Sequence, residues 1–214
     1  MMLEAIIWNP IEVRNEVEAL GLDVDGLIDC VRYAEREKSF VTDNDAVGFG
    51  SIVVYDKAGR ALREKYLSEV WVKDDSHNQC AIKNSHTMVR VVPCNFDEFA
   101  GNRLVRPTNK SPKGEVSRKK SMCNKTAWLP GVQKSESVFD DRFQTWILGI
   151  FTDNERPTTA ELSLPIAFDG HYFTDFGKRI MLLTGDGDSG IGRRIDGDNG
   201  DDTVEPVDIT IRRR

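Results

Sequence analysis

The sequence predicts an α+β fold: two N-terminal helices packed on a largely antiparallel sheet, with a long basic loop inserted between two strand groups. Three observations carry this reading. Apolar residues recur at helical spacing through the first 40 residues. Beyond Phe40 the period shortens, and β-branched runs alternate with turn residues. From Gly101 to about Phe139 both periods lapse into a stretch mixing Pro, Gly, Ser, Asn and Lys. A chain of 214 residues suits one domain. Its expected parts are a helical part (1–40), a first strand group (50–100), a basic insertion (101–139), a second strand group (140–183), an Asp/Gly-rich linker (184–203), and a final strand with a basic tail (204–214).

Asn9-Pro10-Ile11-Glu12 opens the first helix, because Asn caps free amides and Pro suits the first helical position. Val13, Val17 and Leu20 follow on one face, and Gly21 stops the run. A second helix is expected after Asp25, with Leu27, Ile28, Val31 and Ala34 inward. Ser51–Asp56 reads as a strand, returning through Arg60–Leu67 after a turn at Lys57-Ala58-Gly59. Glu69–Lys73, Gln79–Asn84 and Thr87–Val92 continue the meander. A short helix around Glu115–Cys123 is compatible with the insertion. Thr145–Thr152, Thr159–Phe168, Tyr172–Leu183 and Val204–Ile211 complete the strands, with Glu161 and Ser163 expected on a solvated face.

Composition lies in the soluble globular range, at 39% hydrophobic and 30% charged. No apolar run approaches the roughly 20 residues that span a bilayer, so no membrane association is expected. The opening MMLEAIIWNPIEVRNE has no basic lead or long apolar core, so a cytoplasmic location is expected. Cys30, Cys80, Cys94 and Cys123 form no C-x-x-C pair and read as free thiols. A zinc site from Cys80, His86 and Cys94 with Cys123 or His77 lacks the short ligand knuckles of structural zinc. Neither metal nor cofactor is therefore expected.

Charge is distributed unevenly. Arg103, Arg106, Lys110, Lys113, Arg118, Lys119, Lys120 and Lys125 share a window with one acid, Glu115. The window carries +7 and leaves −13 for the rest of a chain whose total is −6. Lysine and arginine supply the sequence-independent attraction to phosphates that dominates nucleic-acid affinity. Ser111, Ser117, Ser121, Asn109 and Asn124 offer hydrogen bonds to phosphate oxygens, and Trp128 offers a ring for base stacking.

Four catalytic or metal patterns are weaker. Gly187-Asp188-Ser189-Gly190 has the letters of the nucleophile loop in chymotrypsin-like proteases. It lacks the Ala-His-Cys setting upstream, and Ile191 stands where another Gly belongs. Asp186, Asp188, Asp196, Asp198, Asp201 and Asp202 are hard oxygen ligands without an EF-hand spacing, so the stretch reads as a hydrated linker. A metal-dependent nuclease would draw on Asp140, Asp141, Asp153, Glu155 and Glu161, but Ser163 replaces the lysine such a strand pattern needs. His77, Lys83, His86 and Arg90 would serve a metal-free ribonuclease only if the two imidazoles met.

The sequence is accordingly read as a nucleic-acid (polyanion) binding protein without catalysis of its own, using residues 103–125 and Trp128 on DNA or RNA, as an accessory subunit of a nucleoprotein assembly. The alternatives are an interaction protein using the same segment against an acidic protein partner, and a metal-dependent phosphodiesterase.

Overall fold

A computed structural model describes residues 4–128 and 142–185. The first two helices form where capping chemistry places them. In α1 (Pro10–Ala19), the Asn9 side chain accepts from the Ile11 and Glu12 amides, and Val13 and Val17 are buried. In α2 (Val24–Lys38), Asp23 caps the Gly26 amide, and Leu27, Cys30, Val31 and Ala34 turn inward. Arg36 and Lys38 sit in its last turn, where cations complement the helix dipole.

The expected hairpin at Ser51–Asp56 and Arg60–Leu67 is a single helix, α3 (Phe49–Tyr66). Val54, Ala58 and Leu62 recur every four residues and are buried, which is helical and not strand spacing. Gly59 lies inside the helix because Cys80 packs against it: a Cβ at Gly59 would overlap the Cys80 side chain. Local β-propensity at Ile52, Val53 and Val54 is overridden by burial of this face against α2 and the sheet.

The strands are β1 (Ala5–Ile7), β2 (Trp71–Asp74), β3 (Ala81–Asn84), β4 (Val89–Asn95), β5 (Gln144–Phe151), β6 (Thr159–Asp169) and β7 (Tyr172–Leu183). They form one sheet in the order β1-β7-β6-β5-β4-β3-β2. The α+β class stands, but the sheet is mixed: β1 pairs parallel with β7, and β4 pairs parallel with β5. The parallel β4–β5 pair requires a crossover, and the insertion supplies it with a helix, α4 (Glu115–Trp128). The expected basic loop therefore contains a helix. The final strand at Val204–Ile211 and nearly all of the Asp/Gly-rich linker lie outside the described residues.

Side-chain alternation divides the sheet between two cores. Val89, Val91, Trp146, Leu148, Ile150, Leu162 and Ile180 join the helical residues of α1, α2 and α3. Val92, Cys94, Ile147, Phe173 and Phe176 form a second core with Phe96 and Ala100. Gly149 lets the Phe96 ring lie flat on β5, where a Cβ would overlap it. Helix α4 and the loop from Phe96 to Gly114 cover this second face.

Two ion pairs are buried, one fastening the covering loop and one within the sheet. Glu161 and Arg179 are both 0% exposed and pair at 2.6 Å. Arg179 also donates to the Asn102 and Val105 carbonyls, while Glu161 accepts from the Gly101 amide and the Ser163 hydroxyl. Glu161 and Ser163 are thus buried, not on the solvated face expected for them. Asp74 accepts from Arg90 at 2.7 Å, and Arg90 also reaches the Thr145 hydroxyl. Among the described residues, no helix is long and apolar enough to cross a membrane.

Candidate anion site at the first turn of the basic helix

Helix α4 has an inverted pattern. Ser117, Lys120, Ser121 and Asn124 follow i, i+3, i+4, i+7 spacing and are all buried, whereas Met122 is 52% exposed. A helix normally buries an apolar stripe. This one turns hydroxyls, an ammonium and an amide toward the sheet.

The C-terminal part of the stripe is structural. Asn124 Nδ2 donates to the carbonyls of Thr145 (2.8 Å) and Pro165 (2.9 Å), and its Oδ1 accepts from the Thr145 amide (2.8 Å). It bridges β5 and β6 where their ladder has stopped, since pairing reaches no further than Ile147 opposite Ser163. Buried backbone groups there would otherwise lack partners. Asn109 does the same for the preceding loop, bonding the Ser111 and His171 carbonyls and the Phe173 amide. Both asparagines were expected to be free for phosphate and are not.

The N-terminal part of the stripe borders a cavity of about 210 Å³. The cavity exists because β4 outruns β3. Pairing of β3 with β4 ends at Val91, so Val92 to Asn95 pair with β5 on one edge and have no strand on the other. Pro93 falls in this run, where a missing amide costs no ladder bond. Helix α3 closes the gap from behind: the Tyr55 hydroxyl accepts from the Cys80 amide at 2.9 Å, and Asn95 Nδ2 donates to the Ser51 carbonyl at 2.7 Å. The lining includes Tyr55, Asn78 and Gln79 together with Lys113, Gly114, Ser117, Lys120 and Ser121. Val92, Pro93, Cys94, Thr145, Ile147, Pro165 and Phe173 complete the lining.

Two cations reach this cavity from different parts of the segment. Lys113 precedes α4, its amide held by the His171 carbonyl at 2.9 Å. Its ammonium lies against the Cys94 thiol: burial raises that thiol's pKa, and Lys113 partly opposes the rise. Lys120 is 3% exposed, and its Nζ donates to Gln79 Oε1 at 2.6 Å. Gln79 Nε2 in turn donates to Ser117 Oγ at 3.3 Å. In these bonds the Ser117 and Tyr55 hydroxyls accept, which leaves their own protons for another acceptor. The Ser117 amide is itself bonded to the Gly114 carbonyl at 3.0 Å in the first turn of α4.

The remaining cations divide. Arg103 stacks on Trp8, with its guanidinium carbon 4.6 Å from the ring centroid. Arg106 pairs with Glu4 (2.9 Å) and Asp175 (3.3 Å). Arg118 pairs with Glu115 along the helix, which raises the Arg118 pKa and lowers that of Glu115. Lys110 and Lys125 are exposed, and Lys119 is half-buried. Trp128 is the last residue of α4, and its side chain lies outside the described residues. The eight cations therefore form one two-lysine cavity and a set of dispersed surface charges.

No known protein family, curated protein or solved structure matches this chain.

The chemistry must then be read from geometry alone, and geometry separates the other constellations. His77 lies in the turn before β3 and His86 in the turn after it. Four strand residues, about 13 Å, lie between those turns. Arg90, the cation expected to serve that site, is buried against Asp74. Glu161, expected among the nuclease carboxylates, is enclosed by Arg179, while Asp153 sits in the loop after β5 beside Arg156. Asp140, Asp141 and Ser189 fall outside the described residues, as do Asp186, Asp188, Asp196, Asp198, Asp201 and Asp202. Among the described residues, no three His, Cys, Asp or Glu side chains converge on one point.

Sequence reading missed Gln79, Tyr55, Cys94, Thr145 and Phe173 as cavity residues. One signal was present for the helix: Ser117, Lys120, Ser121 and Asn124 are polar at amphipathic spacing.

Proposed function

We propose that this chain binds nucleic acid or another phosphate-bearing polyanion without catalysing a reaction on it. The single observation that supports this reading is the meeting of Lys113 and Lys120 in one cavity beside the first turn of α4. A helix N-terminus with adjacent cations is a favourable place for a phosphate. Lys110 is tied to Asn95, one residue from Cys94 of the cavity, through its amide at 2.9 Å. Together with Lys119 and Lys125 it extends the positive surface on which neighbouring phosphates would lie.

The binding contribution is smaller than eight cations suggest. Arg106 and Arg118 already face carboxylates, and Arg103 faces Trp8. The acidic remainder of the chain repels a polyanion elsewhere, so binding is confined to this face. A role as accessory subunit of a nucleoprotein assembly in the cytoplasm follows as the biological setting of this reading.

Fluorescence anisotropy with labelled single- and double-stranded DNA and RNA tests it. Three phosphate contacts on a single strand weaken affinity roughly 20-fold over about 50 to 200 mM salt. A variant with Lys110, Lys113 and Lys119 as Ala is expected to lose most of both the affinity and the salt slope. Absence of binding to every oligonucleotide at low salt would contradict the proposal and turn the search to an acidic protein partner.

A further inference from the structure

We infer that the cavity beside α4 receives a phosphomonoester, either the terminal phosphate of a strand or that of a small phosphorylated molecule, in preference to an internal phosphodiester. As applied to a strand end, this rests on the polyanion reading above. The cavity itself stands independently of that reading.

Size is the first argument. At about 210 Å³ the cavity is smaller than the roughly 300 to 1,000 Å³ of sites for drug-sized ligands. It admits one phosphate and part of the group it carries, not a strand passing through. Charge is the second. A phosphomonoester carries nearly two negative charges at neutral pH, and a diester carries one. Lys113 and Lys120 both line the cavity.

Hydrogen bonding is the third argument. A terminal phosphate has three strong acceptor oxygens that need donors from several directions. The two lysines and the Ser117 and Tyr55 hydroxyls provide them. The lining is also divided by polarity. Val92, Ile147 and Phe173 form an apolar floor, suited to a sugar or base carried behind the phosphate. Gly114 also lines the cavity, with no atom within 4 Å of a Cβ placed there.

The experiment compares one oligonucleotide sequence bearing a 5′-phosphate, a 3′-phosphate or neither, with inorganic phosphate and a nucleoside 5′-monophosphate as competitors. Lys113→Ala and Gly114→Leu are the variants, because both positions are partly or fully exposed and neither substitution opens the core. The expected result is at least about tenfold tighter binding of one phosphorylated end, the size of one charge-assisted hydrogen bond. That preference should vanish in both variants and be competed by phosphate. A nucleoside monophosphate binding as tightly as the phosphorylated strand would assign the site to a small ligand; a tighter strand would assign it to a strand end. Equal affinity for all three oligonucleotides with no competition by phosphate would overturn the inference while leaving strand binding in place. Binding of nucleoside monophosphate but of no oligonucleotide would support the cavity and overturn the polyanion reading.

Discussion

Lys120 Nζ and Gln79 Oε1 meet at 2.6 Å across 41 residues of sequence, joining α4 to the turn before β3. The contact holds an ammonium at the cavity wall on a residue that is 3% exposed. Lys120→Met removes the donor to the part-buried Gln79 carbonyl oxygen, and an acceptor left unsatisfied typically costs about 1 to 3 kcal/mol. The variant is therefore expected to fold with a lowered thermal midpoint. It should lose the phosphate-induced rise in that midpoint, which for wild type at about 100 times Kd corresponds to roughly 2.7 kcal/mol. Thermal melts with and without phosphate measure both.

The Glu161–Arg179 pair fastens the loop at 101–105 to β6 and β7. Removing one partner of a fully buried pair leaves an uncompensated charge and typically costs about 3 to 5 kcal/mol. Arg179→Met is expected to show that loss in urea denaturation. Glu161→Gln should be similarly costly, because the Arg179 guanidinium would remain buried without its carboxylate.

Asp74 governs part of the acid stability. Burial pushes its carboxyl up, but bonds from Ser76 and Arg90 together outweigh that and hold it well below the usual carboxylate range. A carboxylate depressed in the folded state contributes stability above its unfolded pKa, about 3.9, and loses it as pH falls toward the folded value. Wild type is expected to lose thermal stability below about pH 4 more steeply than Asp74→Asn. Identical slopes for the two proteins would contradict this assignment.

Sequence and structure part company for identifiable reasons. The start of α1 was legible because Asn9 carries the capping chemistry itself, whereas α2, expected after Asp25, begins at Val24 with Asp23 as its cap. Most strands were legible from alternation. The region of α3 was misread because Ile52, Val53 and Val54 favour strands locally and Gly59 resembles a turn. Its helical face at Val54, Ala58 and Leu62 becomes decisive only through contacts with α2 and the sheet. The short β1 gave no signal, since its three residues form a strand only by pairing with β7. The basic segment was legible as charge but not as geometry. Which cations meet depends on β4 outrunning β3, a register that no local pattern encodes.

Thiol reactivity provides an independent check on the two cores. Burial pushes the Cys30 thiol up to about 12, with nearby Lys65 opposing only part of the rise. Burial likewise raises Cys94, against the opposing effect of Lys113. The thiolate is the reactive species, so both residues should resist alkylation at pH 8 in the native protein. Intact-mass analysis is expected to find Cys30 and Cys94 unmodified before denaturation and all four cysteines modified after it. Rapid native labelling at Cys30 would contradict the packing of α2.

The central claim, that an anion sits in the cavity beside the first turn of α4, is tested most directly by backbone amide NMR during titration with a 5′-phosphorylated oligonucleotide. The expected result is a cluster of shifts at Gly114, Glu115, Val116, Ser117, Gln79 and Thr145, absent in Lys113→Ala. Shifts confined to the surroundings of Arg103 and Lys125, or no shifts at all, would contradict it.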